Sequence, residues 1–242
     1  MNLFYSNQIE DSTAFLNESE SHHCIKVLRM KKGDGIHIID GAGGYYTGVL
    51  VSDNPRGCEI AILESKKNFE KRPYFLHIAI APTKNAERFE WFVEKATEIG
   101  VDKITPLICE HSERKTLRPD RVEKVVLSAV KQSVKAWIPE VAPQETMSDF
   151  IRKEHSLTEN FIAHCGEGIK TSLLHAGGKR SSYLVLIGPE GDFSEKEILL
   201  AQSFGFIPVS LGESRLRTET AGVVVAQIVS DIEAIKATEK QI

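Results

Sequence analysis

Two rhythms of apolar and polar positions divide this chain. Up to about Ser65 the apolar runs are short and punctuated by glycine. Gly33-Asp34-Gly35 turns into Ile36–Ile39, Asp40-Gly41-Ala42-Gly43-Gly44 turns into Tyr45–Val51, and Gly57 precedes Cys58–Leu63. Short strands between glycine turns predict a small β-barrel. An opening helix is expected ahead of it, with Cys24, Val27 and Leu28 at helical spacing between Glu18 and Leu28. The charged, unpatterned stretch from Lys66 to Pro73 reads as a linker.

From Tyr74 the rhythm alternates between strand and helix. Strands are predicted at Leu76–Ala81, Ile104–Cys109, Phe161–Cys165, Tyr183–Ile187 and Phe206–Leu211. Between them, Glu87–Ile99 carries apolar residues at helical spacing and ends at Gly100, a suitable stop. Arg121–Trp137 has the same period, and Ser194 with Glu197 forms a capping box for another helix. A final helix is expected from Thr218 or Glu219, apolar at Val224, Val225, Ile228, Val229 and Ile232. Such alternation calls for a parallel sheet covered on both faces, an α/β domain of residues 74–242 after a β module of residues 1–70.

Composition narrows the class. No apolar run approaches the roughly 20 residues that cross a bilayer, and the start Met1-Asn2-Leu3-Phe4-Tyr5-Ser6 lacks the pattern of a signal peptide. A cytoplasmic protein with no membrane association is expected. Cys24, Cys58, Cys109 and Cys165 show no C-x-x-C spacing, which argues against zinc or a disulfide framework, and no metal is called for. The net charge of −4 speaks against indiscriminate nucleic-acid binding. Local basic clusters remain, at Lys26, Arg29, Lys31 and Lys32, at Lys66, Lys67, Lys71 and Arg72, and from Arg114 to Lys124.

The chemistry concentrates in two loops, each after a strand and before a helix. They are Gly188-Pro189-Glu190-Gly191-Asp192-Phe193-Ser194 and Leu211-Gly212-Glu213-Ser214-Arg215-Leu216-Arg217-Thr218-Glu219-Thr220-Ala221. Glycine-bearing loops at strand ends are where α/β proteins hold ligands. Neither G-x-G-x-x-G nor a Walker-type phosphate loop occurs, so the usual nucleotide fingerprints are absent.

Together the loops closely resemble the signature segments of the RsmE-type RNA methyltransferases of the SPOUT superfamily, most of all in Leu216-Arg217-Thr218-Glu219-Thr220-Ala221. Lys84, Arg88, Phe89, Glu90, Lys95, Glu98 and Gly100 fit the same family's first α/β helix, and His22–Arg29 fits its N-terminal domain. Gln132, Ser133 and Pro139 fit a further element, in which Lys135 stands where the family has arginine; lysine keeps the charge but not the bidentate fork.

The resemblance implies a trefoil-knotted C-terminal domain, a PUA-like N-terminal RNA-binding domain and a homodimer. It further implies methyl transfer from S-adenosylmethionine to N3 of a uridine in the decoding region of 16S ribosomal RNA, on the small ribosomal subunit. The backbones of Leu186, Gly188, Glu190, Gly191, Leu211, Gly212 and Leu216 are expected to enclose the cofactor, with Pro189, Arg217 and Thr220 beside them. Arg217 is the candidate charge partner of the uracil oxygens or of RNA phosphate, and Glu219 or Glu190 the candidate general base. Arg29, Lys26, Lys84, Arg88 and Lys135 are candidate RNA contacts. Alternatives are a SPOUT enzyme with another RNA target, a non-catalytic ribosome assembly factor, and an α/β enzyme for another small molecule.

Overall fold

The computed structural model describes residues 2–239 except 154, 156, 167 and 169. Two compact units make up the chain. The first takes in residues up to Lys71 together with Leu127–Ile138; the second takes in Arg72–Val126 and the chain from Pro139 onward.

In the first unit, strands β1 (Leu3–Tyr5), β2 (Gln8–Glu10) and β3 (Thr13–Phe15) come before the helical turn α1 (Glu18–His22). The expected opening helix is therefore preceded by strands, each too short to show a period. Asn17 caps α1 by accepting from the Glu20 N–H at 2.9 Å. The helix then widens into a π turn over His23–Val27, leaving Val27 and Leu28 exposed.

Strands β4 (Gly35–Ile39), β5 (Tyr45–Ser52) and β6 (Glu59–Lys66) complete a six-stranded sheet in the order β1-β4-β5-β6-β3-β2. All its pairs are antiparallel except β1–β4. The hydrogen-bonded order runs from edge to edge, so the expected barrel is a sheet about one core, with Phe4 from β1 and Ala14 from β3 both inside it. Residues after β6 are engaged rather than free: Phe69 stacks on Tyr45 with centroids 4.5 Å apart, and its carbonyl accepts from Trp137 Nε1 at 3.0 Å. Gly43 admits that tryptophan, since a Cβ there would lie 2.3 Å from its ring.

In the second unit the elements are β7 (Phe75–Ile80), α2 (Ala86–Ile99), β8 (Lys103–Ile108), the start of α3 (Pro119–Gln132, which belongs to the first unit from Leu127 on), β9 (Glu140–Val141) and β10 (Glu145–Thr146). They continue with α4 (Met147–Ile151), β11 (Glu159–Ala163), β12 (Thr171–Ser172), α5 (Leu173–Ala176), β13 (Ser182–Ile187), α6 (Glu195–Ser203), β14 (Ile207–Ser210) and α7 (Thr218–Glu239). Helix α3 stops at Gln132 instead of reaching Trp137, because Val134 adopts a left-handed φ of 56° that no α-helix accommodates.

The strands form a parallel sheet in the order β10-β8-β7-β13-β11-β14-β12, with β9 also paired to β8. Alternate residues of its central strands serve opposite faces. Ala79, Leu184, Leu186 and Ile162 join a core with Phe150 of α4 and Ala201 of α6. On the other face Ile80 meets α7, which packs against α2. Consecutive buried residues, Leu76 to Ala81 and Tyr183 to Ile187, are what a sheet covered on both sides requires. Among the described residues no helix is long and apolar enough to cross a membrane.

Candidate active site

The order of the sheet brings three strand ends together. β11 lies between β13 and β14, and its last residue, Ala163, pairs with Ile187 on one side and Val209 on the other. These three residues floor a cleft of about 710 Å³ at the carboxyl ends of the strands, a size within the roughly 300–1,000 Å³ usual for small-molecule sites.

The two signature loops wall this cleft. Gly188, Pro189 and Glu190 come from the loop after β13, and Leu211, Gly212, Leu216 and Arg217 from the loop after β14. The Thr218 hydroxyl ties them together by donating to the Gly188 carbonyl at 3.0 Å, in a buried position. Gly212 has a φ of 132°, a conformation that favours glycine, and faces open space.

A third wall went unread in the sequence. His164, Cys165 and Lys170 follow β11 and also line the cleft. Asp192 fixes this wall to the first loop: its Oδ2 accepts from the Cys165 N–H at 2.7 Å and its Oδ1 from the Phe193 N–H at 2.8 Å. Asp192 itself sits at a φ of 64°, which aspartate tolerates better than most residues. Lys170 Nζ donates to the carbonyls of His164 and Gly166. Burial, with the Lys170 ammonium adding to it and Asp192 opposing, holds the His164 ring below the ordinary histidine pKa. Both of its ring nitrogens are buried without a partner among the described residues.

These features fit the implied S-adenosylmethionine. Apolar Ile187, Val209 and Leu216 suit an adenine, glycine leaves room for close approach, and the His164 nitrogens have hydrogen bonds to give.

Other expected site residues fall elsewhere. Leu186 is wholly buried in the sheet core, one residue before the cleft begins. Gly191 lies outside the lining, its carbonyl 3.2 Å from His111 Nδ1. Thr220 and Glu219 line a smaller neighbouring cavity of about 380 Å³ with Arg88, and Arg217 is the residue shared by both spaces.

Arg217 has no carboxylate within ion-pair distance among the described residues. Glu219 Oε1 instead lies 3.8 Å from Arg88 Nε. Glu190 Oε1 accepts from the Lys84 N–H at 2.8 Å. Arg114 grips the same segment, with Nε 3.0 Å from the Thr83 carbonyl and Nη2 2.7 Å from the Lys84 carbonyl. The Lys84 ammonium pairs with Glu113 at 2.7 Å on the surface. Lys26, Arg29 and Lys135 belong to the first unit. Lys26 and Arg29 are exposed, Arg29 at a φ of 57°.

Comparison with known proteins shows the family. Residues 70–230 match the family profile of an RNA methyltransferase domain, and residues 16–63 that of an RNA methyltransferase PUA domain. A curated relative from Synechocystis, named ribosomal RNA small subunit methyltransferase E, is 34% identical over 91% of this chain and 74% of its own. The crystal structure of a probable rRNA-methyltransferase from Porphyromonas gingivalis is 38% identical, with a TM-score of 0.89 over 98% of this chain and 100% of that one. A ribosomal RNA small subunit methyltransferase E from Neisseria gonorrhoeae, bound to S-adenosyl methionine, is 26% identical with a TM-score of 0.87 over 96% of this chain and 98% of its own.

Proposed function

Since the chain belongs to the ribosomal RNA small subunit methyltransferase E family, we propose that it transfers a methyl group from S-adenosylmethionine to N3 of a uridine in the decoding region of 16S RNA, acting on the small ribosomal subunit. The observation that carries the reading is the cleft of about 710 Å³ built from both signature loops, with Arg217 on its wall and on that of the next cavity.

Bound there, S-adenosylmethionine supplies an electrophilic methyl group. Gly188, Pro189, Leu211, Gly212 and Leu216 hold the cofactor. N3 of uracil carries a proton at neutral pH and lies on the base-pairing edge, so the base enters unpaired. The N3–H bond would break as the proton passes to a carboxylate; its electron pair, delocalised over O2 and O4, would form the new N–CH₃ bond as the donor's S–CH₃ bond breaks and its electrons return to sulfur, leaving the neutral thioether. Arg217 stabilises that negative charge. Glu219 is the better general base, because Glu190 already accepts a backbone hydrogen bond, whereas Glu219 Oε2 has no partner among the described residues.

The same reading makes residues 74–242 a trefoil-knotted SPOUT domain and residues 1–70 a PUA-like domain presenting Lys26 and Arg29 to RNA. It makes the working form a homodimer in the cytoplasm. The test uses small subunits from cells lacking this protein, incubated with it and labelled S-adenosylmethionine, followed by digestion and nucleoside analysis. Labelled N3-methyluridine is expected. Label in another nucleoside refutes the N3 chemistry; cofactor binding without any transfer points to another RNA target, and absence of cofactor binding supports the assembly-factor alternative.

A further inference from the structure

Beside the cofactor cleft, the smaller cavity opens where the first turns of α2 and α7 meet, and nothing described so far occupies it. Three of its features point to a ligand. Trp91 is 43% exposed on its wall, although its neighbours Phe89, Phe92 and Val93 on α2 are buried in the core. Packing of α2 is thus complete without Trp91, and the indole stays outside. Glu219 is 6% exposed, and its Oε2 is buried with no hydrogen-bond partner among the described residues. Its nearest cation, Arg88 Nε, stands at 3.8 Å, beyond hydrogen-bonding distance. Arg217 lines this space and the cofactor cleft, with no ion-pair partner among the described residues.

A nearly buried carboxylate without donors is costly unless something brings a donor to it. An indole face at a cavity mouth is a stacking platform for a nucleobase. Two guanidinium groups across the same space are donors for carbonyl oxygens or a phosphate.

We propose that this cavity seats the target base: an unpaired pyrimidine carrying an imide N–H, stacked on Trp91. Its N3–H is received by Glu219, and its two carbonyl oxygens face Arg88 and Arg217. The proposal rests on the uridine-N3 reading and adds to it the residues that choose the base. The set discriminates by hydrogen-bond polarity. Cytosine presents a lone pair at N3, which would oppose the carboxylate, and sites built on such polar pairing reject the wrong partner strongly. Arg217, common to both spaces, puts the N3 edge toward the cleft from which the methyl group comes.

The first test needs no catalysis. Tryptophan fluorescence of the full chain is titrated with uridine 5′-monophosphate and with cytidine 5′-monophosphate at millimolar concentrations. Uridine monophosphate should quench the parent and leave Trp91→Phe, which retains Trp137, unchanged; cytidine monophosphate should bind at least roughly tenfold more weakly. The second test is methyl transfer to small subunits. Trp91→Ala should lower kcat/KM for the RNA roughly 10- to 100-fold, the range of one lost base stack, with the Kd for S-adenosylmethionine unchanged.

Equal quenching by both nucleotides, no quenching by uridine monophosphate, or parental transfer by Trp91→Ala overturns the assignment. Failure of the uridine-N3 reading shows separately, as absence of N3-methyluridine with the unaltered protein.

Discussion

Replacement of Gly222 by alanine sets two opposed effects against each other. Gly222 lies inside α7, where alanine ordinarily stabilises a helix by about 1 kcal/mol over glycine. An added Cβ would, however, stand 2.4 Å from both Cδ2 and Cε2 of Phe92 and 3.1 Å from Cδ1 of Ile80. Carbon atoms in contact prefer roughly 3.5–4.0 Å, so the ring or the helix must move by more than an ångström's worth of overlap.

Phe92 has nowhere to go: it is fully buried on α2, and Ile80 is fully buried beneath it. Overpacking of this kind costs about 1–3 kcal/mol. Steric conflict therefore wins, and Gly222→Ala should lose about 1 kcal/mol net, with Gly222→Val losing about 3 kcal/mol. Urea unfolding reads this out as a midpoint lowered by about 0.5 M for alanine, for an m-value of about 2 kcal/mol/M.

Because the chain has two compact units, the transition to follow is the one that S-adenosylmethionine moves upward. Methyl transfer should fall as well, since Ala221 lines the cleft and Glu219 the smaller cavity on the same turn of helix. A raised midpoint for Gly222→Ala would show that Phe92 yields freely, and the close-packing argument for this glycine would be refuted.

Thr218→Val removes the hydroxyl that serves the buried Gly188 carbonyl; a loss of about 1–2 kcal/mol is expected in unfolding, and calorimetry should show weaker S-adenosylmethionine binding. Burial, aided by the positive charges of Lys103 and His155, lowers the His77 pKa from 6.5 to about 3. The unfolded chain therefore takes up a proton that the folded one refuses between those values, so stability falls as pH drops from 6.5 toward 3; urea midpoints of His77→Gln against pH should be flatter there. Burial raises the Cys24 thiol to about 12 and pushes that of Cys109 up as well, whereas Cys165 is exposed on the cleft wall. A thiol reagent at pH 8 should modify Cys165 ahead of the buried cysteines, and S-adenosylmethionine should slow it.

Long elements with a buried stripe were legible in the sequence. The apolar spacing of Phe89, Phe92 and Val93 located α2, Gly100 ended it, and the Ser194–Glu197 capping box is present, with hydrogen bonds of 2.9 and 3.3 Å. Strands β1, β2, β3, β9, β10 and β12 were not legible, because two or three residues carry no period. The early end of α3 depends on one backbone angle at Val134, a residue whose type argues for neither helix nor turn.

The two loops of the cleft could be found through their glycines and their resemblance to a family. His164 and Lys170 could not, since the wall after β11 has no motif. The rule that ligands sit at the carboxyl ends of parallel strands was the available signal, but the place of β11 between β13 and β14 appears only in the folded sheet. Trp91 drew no reading from the sequence, because it belongs to no motif and its exposure is a fact of packing.

Glu190 has a consequence for how variants of this protein are to be interpreted. Its side chain is a strut: one end borders the cofactor cleft, and the other props the Lys84 amide beside the cap of α2, which Arg114 braces from the other side. Removing the carboxylate withdraws nothing from the chemistry proposed above but loosens the hinge-point from which Arg88 and Trp91 are aimed. A Glu190 variant would then present as a recognition defect, with ordinary cofactor affinity and poor use of RNA, although the residue sits on the cofactor's own wall.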